Sequence, residues 1–118
     1  MSNPTLRECQ SRFVEDVHFL IGFAYNQGYE LTFGEAYRTP EQAALNAANG
    51  TGIKNSLHTI RLAVDFNLFK DGVWLKKSED FKELGKYWKS LNPKNAWGGD
   101  FKTNPDGNHF SQSHGGVK

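Results

Sequence analysis

The run SLHTIRLAVDF, Ser56 to Phe66, places His58 and Asp65 seven positions apart in a mostly apolar setting. Both are metal-ligand residue types. Asp65 stands between Val64 and Phe66, where an ionised carboxylate is costly unless a cation neutralises it. Their spacing limits how they could meet. On one helix they would share a face but stand about 10.5 Å apart along the axis, and on one straight strand about 23 Å apart on opposite faces. Sharing one ion therefore requires the chain to turn back between Thr59 and Leu62, so that a loop histidine meets an aspartate on the following strand. NPDGNHFS adds a third candidate, since His109 follows Asp106 by three residues across Gly107 and Asn108. Two imidazoles and a carboxylate, with one position open for water, form the ligand set of a catalytic rather than a structural zinc. Such a metal brings bound water toward a pKa near ~7, and a nearby carboxylate can take its proton and pass it on.

Taken singly, these residues have plainer readings. His58 could be a loop histidine, Asp65 could pair with Arg61, and PDGN makes a good type I turn. His114 is a rival third ligand, ranked below His109 because its Gly-flanked tail has nothing apolar to hold it still. His18 reads as a helix-surface histidine.

The elements that must position these groups follow from periodicity. Phe13, Val17, Leu20, Ile21 and Ala24 predict a helix over Thr5 to Gln27, opened by a Thr5–Glu8 capping box and stopped at Gly28. YELTFGEAYR reads as a strand ending near Ala36, and PEQAALNAAN as a short helix with Pro40 at its start and Gly50 at its end. GTGIKNS reads as loop, Ala63 to Phe69 as the central strand, and Asp71-Gly72 as a turn into a short strand, VWL. Ser78 opens another helix, with Phe81, Leu84, Trp88 and Leu91 on its buried side and Pro93 at its end. Strands are expected at Ala96 to Phe101 and around His109. This is an α+β pattern, a small antiparallel sheet packed against helices.

With 118 residues and a hydrophobic fraction of 37%, the chain is expected to be one domain, residues 1–118, with one core. A net charge of +1 and scattered lysines argue against nucleic-acid binding. The lone cysteine, Cys9, excludes an internal disulfide and a Cys-based zinc finger. No stretch is long and apolar enough for a transmembrane helix, and MSNPTLRECQ lacks a signal-peptide core. Synthesis in the cytoplasm without an export signal is the expectation.

SLHTIRLAVD resembles the Ser-x-His-x-x-Gly-x-Ala-x-Asp signature of the zinc D-alanyl-D-alanine carboxypeptidase family, which also contains L-alanoyl-D-glutamate endopeptidases used as phage endolysins. YRTPEQ resembles the segment carrying that family's arginine, and AWGGDF followed by PDGNHF resembles its C-terminal segment. The motifs are collinear from about Phe33 to Phe110. The resemblance implies a DD-peptidase/Hedgehog-like fold and one zinc ion bound by His58, Asp65 and His109. Asp106 would be the catalytic base and then acid, and Arg38 would stabilise an oxyanion or hold a substrate carboxylate. Ser56 would contact substrate or cap a loop. Trp97, beside Gly98-Gly99, would wall the cleft, with packing as the alternative, and Gln42 would lie on the surface. Arg61 departs from the signature, which has glycine there, and so bears on the geometry of the turn.

The substrate implied is the stem peptide of bacterial peptidoglycan, cut internally after L-alanine or trimmed of its terminal D-alanine. The bare catalytic domain, lacking a separate wall-binding module, is expected to be a monomeric endolysin. It would reach the wall through a pore made by another protein and would not insert in the membrane itself. A D-alanyl-D-alanine carboxypeptidase or dipeptidase, or a catalytically silent wall-binding module, is the alternative.

Overall fold

The computed structural model describes residues 3–50 and 56–118, so most of the expected GTGIKNS loop lies outside the described residues. Helix α1 spans Leu6–Asn26. Thr5 Oγ1 accepts from the Glu8 N–H at 3.1 Å while the Glu8 carboxylate accepts from the Thr5 N–H at 3.0 Å, the reciprocal cap that their spacing predicts. Strand β1 is Glu30–Phe33 and helix α2 is Pro40–Ala48, capped by the Thr39 hydroxyl. β2, Ala63–Lys70, turns through Asp71 and Gly72, both at positive φ, into β3, Val73–Leu75. A 3₁₀ turn, Ser78–Phe81, leads into α3, Lys82–Leu91. β4 is Asn95–Trp97 and β5 is His109–Gln112.

The five strands form one antiparallel sheet in the order β1-β2-β5-β4, with β3 added to β2 beside β5. This is the α+β architecture expected, with β2 central. Alternation along β2 sends Val64, Phe66 and Leu68 into the core and leaves Asp65 on the other face. Phe13 of α1 meets Trp88 of α3 edge-on at 5.6 Å, and Trp88 meets Phe110 of β5 at 6.0 Å, so both long helices pack on one side of the sheet. Trp88 Nε1 also donates to the Ala96 and Ser111 carbonyls, each at 3.0 Å, which ties α3 to a facing pair of β4 and β5.

Three expectations need correction. The strand expected to end near Ala36 stops at Phe33, because Gly34 and Glu35 both bond the single residue Asp65, the Gly34 N–H donating to its carbonyl and the Glu35 carbonyl accepting from its N–H, each at 2.8 Å. The strand expected to run to Phe101 stops at Trp97, because Gly98–Asp100 curls into a 3₁₀ turn whose Gly98 carbonyl accepts from the Phe101 and Asp106 N–H groups. Ser78 starts its turn but does not cap it: Asp80 accepts from the Lys77 N–H at 3.1 Å, while Ser78 Oγ accepts from the Gly107 N–H at 2.9 Å. His18 is exposed, as expected for a helix-surface residue.

The periodicity of α1 gave no sign that Asp16, only 1% exposed, belongs to its buried face. Its carboxylate accepts from Arg12 Nε at 3.1 Å and from Asn95 Nδ2 at 3.2 Å, joining α1 to the start of β4. Asp16→Ala removes a buried acceptor and should cost about 1–3 kcal/mol in urea unfolding. Asp16→Asn, which keeps one carbonyl oxygen, should recover part of the loss.

Candidate metal centre

Antiparallel pairing sets Asp65 of β2 directly opposite His109 of β5, so both side chains leave the same face of the sheet. His58 arrives from a 3₁₀ turn, Leu57–Ile60, immediately before β2. The reversal required between Thr59 and Leu62 occurs at Arg61, which takes a left-handed φ of 59°. Arg61 therefore adopts the conformation that glycine would adopt more easily, at a cost of roughly 1–2 kcal/mol for a side-chain-bearing residue. Its guanidinium lies 4.0 Å from the centroid of the Tyr37 ring, a cation–π contact that offsets part of that cost.

Asp65 Oδ1 lies 3.4 Å from His58 Nε2 and 3.3 Å from His109 Nδ1. One ligand atom from each of the three residues falls within 4.8 Å of the others. Asp65 Oδ1 is buried without a hydrogen-bond partner among the described residues. An orphaned carboxylate oxygen between two imidazole nitrogens suits a divalent cation of the zinc type. Burial alone would raise the Asp65 pKa, but the His109 and His58 imidazoles outweigh it and hold the carboxyl at about 2. Burial would likewise lower the His58 pKa, but the Asp65 carboxylate, the Ala36 carbonyl and Glu35 together raise it.

Asp106 sits in the turn that feeds β5. Its N–H donates to the Gly98 carbonyl at 2.9 Å and its carbonyl accepts from the His109 N–H at 3.0 Å. A Cβ on Gly98 would come within 2.0 Å of the Asp106 carbonyl oxygen and 2.9 Å of His109 Cβ, so this turn can rest only on a glycine. No side chain among the described residues engages the Asp106 carboxylate. Burial and then the charge of Asp65 raise its pKa, with His109 and His58 opposing.

Other expected residues stand differently. Ser56 is buried and its Oγ accepts from the His58 N–H at 3.2 Å, so it caps the histidine's turn. Trp97 is not on a cleft wall: it is 7% exposed, its ring lies between Gly85 and Gly99, and its Nε1 donates to the Gly107 carbonyl at 2.7 Å. The ring is part of the core and holds the Asp106 turn from behind. Arg38 is brought beside the site, its N–H donating to the His58 carbonyl at 3.2 Å, but its Nη2 pairs with Glu35. Glu35, also 3.9 Å from His58 Nδ1, escaped notice because a lone glutamate before an arginine carries no motif. Gln42 is exposed and bonds Asn46 on its own helix.

The sequence profile of a family described as D-alanyl-D-alanine carboxypeptidase matches residues 49–112, which contain His58, Asp65, Asp106 and His109. The chain belongs to that family of M15 metallopeptidases. No curated protein sequence matches it. Among solved structures, the fold is similar to the Serratia marcescens L-Ala D-Glu endopeptidase ChiX, with a TM-score of 0.74 at 19% identity over 92% of this chain and 83% of that one. It is also similar to a mutant of the vancomycin resistance D,D-pentapeptidase VanY from a VanB-type cassette, solved with Zn(II), with a TM-score of 0.58 at 19% identity. That match covers 86% of this chain and 70% of the other. The M15-like fold of this chain thus brings a His-Asp-His cluster to one point. No helix among the described residues is long and apolar enough to cross a membrane.

Because zinc must displace the proton from His58, whose pKa is raised in the metal-free protein, apparent zinc affinity should fall as pH drops through and below that pKa. Isothermal titration at several pH values checks the direction. Zinc at a hundredfold excess over its Kd should stabilise the fold by about 2.7 kcal/mol. His109→Ala and Asp65→Asn should abolish that gain.

Proposed function

We propose that this enzyme is a zinc-dependent peptidase of the peptidoglycan stem peptide, that it cuts the L-alanine–D-glutamate bond, and that it acts as an endolysin. The observation that carries the reading is the convergence of His58, Asp65 and His109 on one point at a buried, unpartnered Asp65 oxygen, within the electrostatic reach of the Asp106 carboxylate. Held by those three residues, a single zinc ion would supply the positive charge that acidifies water and polarises a peptide carbonyl. Asp106 would take a proton from the attacking water at its carboxylate oxygen and return it to the departing amine. A carboxylate that no other side chain among the described residues hydrogen-bonds or pairs with is free to accept a proton and release it again. Arg38 would use the guanidinium N–H groups that Glu35 leaves free to hold the carbonyl oxygen as it gains charge. Ser56 and Trp97 would serve catalysis only by positioning His58 and the Asp106 turn.

The fold likeness to ChiX, over most of both chains, supports the internal cut. An internal cut detaches the peptide cross-links from the glycan, whereas trimming a terminal D-alanine leaves them in place, and this makes lysis the matching role. The enzyme would then meet the wall through a pore made by another protein, with residues 1–118 forming one catalytic domain. The family description favours a second reading, removal of the terminal D-alanine.

Mass spectrometry of isolated peptidoglycan digested by the protein should reveal new D-glutamate amino termini that are absent with a chelator. Free D-alanine would instead identify a carboxypeptidase, and no product from a folded, zinc-loaded sample would leave a wall-binding module. Asp106→Asn should lower kcat by roughly 10²–10⁴ with zinc content unchanged, and full activity would remove that carboxylate from the mechanism. Arg38→Ala should also depress turnover severely. If it loses zinc or unfolds instead, the arginine is structural.

A further inference from the structure

β2 is joined on one edge by β5 through Ala63–Asp65 and by β3 through Leu68–Lys70, which leaves an opening between these partners at Phe66 and Asn67. The opening is a cavity of about 310 Å³ whose lining includes Asn67, Trp74, Lys76, Ser78, Asp106 and Asn108. It therefore shares Asp106 with the metal centre. Trp74 is 52% exposed, stacked on Phe69 at 6.2 Å, and carries the Lys76 ammonium 4.3 Å from its ring centroid. Lys76 has no carboxylate within ion-pair distance among the described residues. Arg38, by contrast, is already engaged by Glu35. The cavity thus holds one cation without an ion-pair partner among the described residues, set over an aromatic ring, and the Asp106 carboxylate.

We propose that this cavity is a substrate subsite for a peptide residue bearing a free carboxylate. Lys76 pairs with that carboxylate, the Trp74 face packs on the residue's aliphatic stem, and the Asn108 side chain hydrogen-bonds its peptide groups. The negative charge of Asp106 keeps the carboxylate at the Lys76 end, which sets the direction in which the peptide crosses the centre. The assignment rests on the wall-peptidase reading, since D-glutamate in a peptide chain uses one carboxyl and keeps the other free.

The test compares L-alanyl-γ-D-glutamyl-L-lysine amide carrying a free α-carboxyl with the same peptide carrying an α-carboxamide. Binding to the zinc-loaded protein is read by titration calorimetry, and cleavage is followed separately by mass spectrometry. The acid should bind the wild type about five- to tenfold tighter than the amide. Lys76→Met should bring the two together, Lys76→Arg should keep most of the gap, and Trp74→Ala should weaken both. An equal affinity for acid and amide in the wild type, or a gap that survives in Lys76→Met, overturns the subsite. Cleavage without an acid preference leaves the peptidase reading standing and removes the subsite. An acid preference that depends on Lys76, without cleavage of either peptide or of peptidoglycan, keeps the subsite and removes the peptidase reading.

Discussion

The cross-strand pair of Asp65 and His109 is the constraint around which this molecule is built. Neither residue alone would be tolerable in so buried a place without compensation, and only one register puts them opposite each other. A slip of one residue between β2 and β5 would turn His109 to the helical side and bring Phe110 to the metal side. Phe110 prevents this, because it is fully buried against Phe66, Phe81 and Trp88. Outside the ladder, the Phe66 N–H donates to the Asn108 carbonyl at 3.0 Å and pins the incoming turn. The apolar face of the sheet thus sets the geometry of the polar one.

Behind the site, a second set of contacts holds the Asp106 turn at one height above the sheet. Trp97 reaches the Gly107 carbonyl, Ser78 reaches the Gly107 N–H, and the Gly98 carbonyl receives the Asp106 N–H. The Trp97 ring lies against Gly85 of α3 and Ser78 opens the turn that leads into that helix, so α3 helps fix where the Asp106 turn stands. Small residues recur here for a steric reason. A Cβ on Gly85 or Gly99 would come within 2.2 Å of the Trp97 ring, and one on Gly98 would displace the Asp106 backbone. Close approach of backbone to ring and of turn to turn supplies the rigidity that a site on a loop otherwise lacks.

The entry to β2 shows how a departure from a family pattern is absorbed. Arg61 keeps the left-handed backbone that the turn needs and adds a guanidinium lying on Tyr37. Arg38, next in sequence to Tyr37, pairs with Glu35, whose carboxylate also faces His58. Two arginines, one tyrosine and one glutamate thereby form the shoulder of the metal centre. Glu35 neutralises Arg38 while Arg61 rests on the Tyr37 ring, and within the neighbouring cleft Lys76 has no carboxylate partner among the described residues.

Much of this protein was legible in its sequence because the signals are local. Capping at Thr5, the Pro40 start of α2, the Asp71-Gly72 turn, the buried stripe of α3 and the alternation of β2 all act over a few residues, where propensity and burial agree. The ligand types could also be read, since a carboxylate between Val64 and Phe66 demands a cation wherever the chain goes. Tertiary structure alone decided the rest. It placed Trp97 in the core, recruited Ser78 to a turn 29 residues away, buried Asp16 against Asn95 and set Glu35 between Arg38 and His58. Each of these depends on which distant segment arrives alongside, and residue type and spacing say nothing of that until the sheet has brought those segments together.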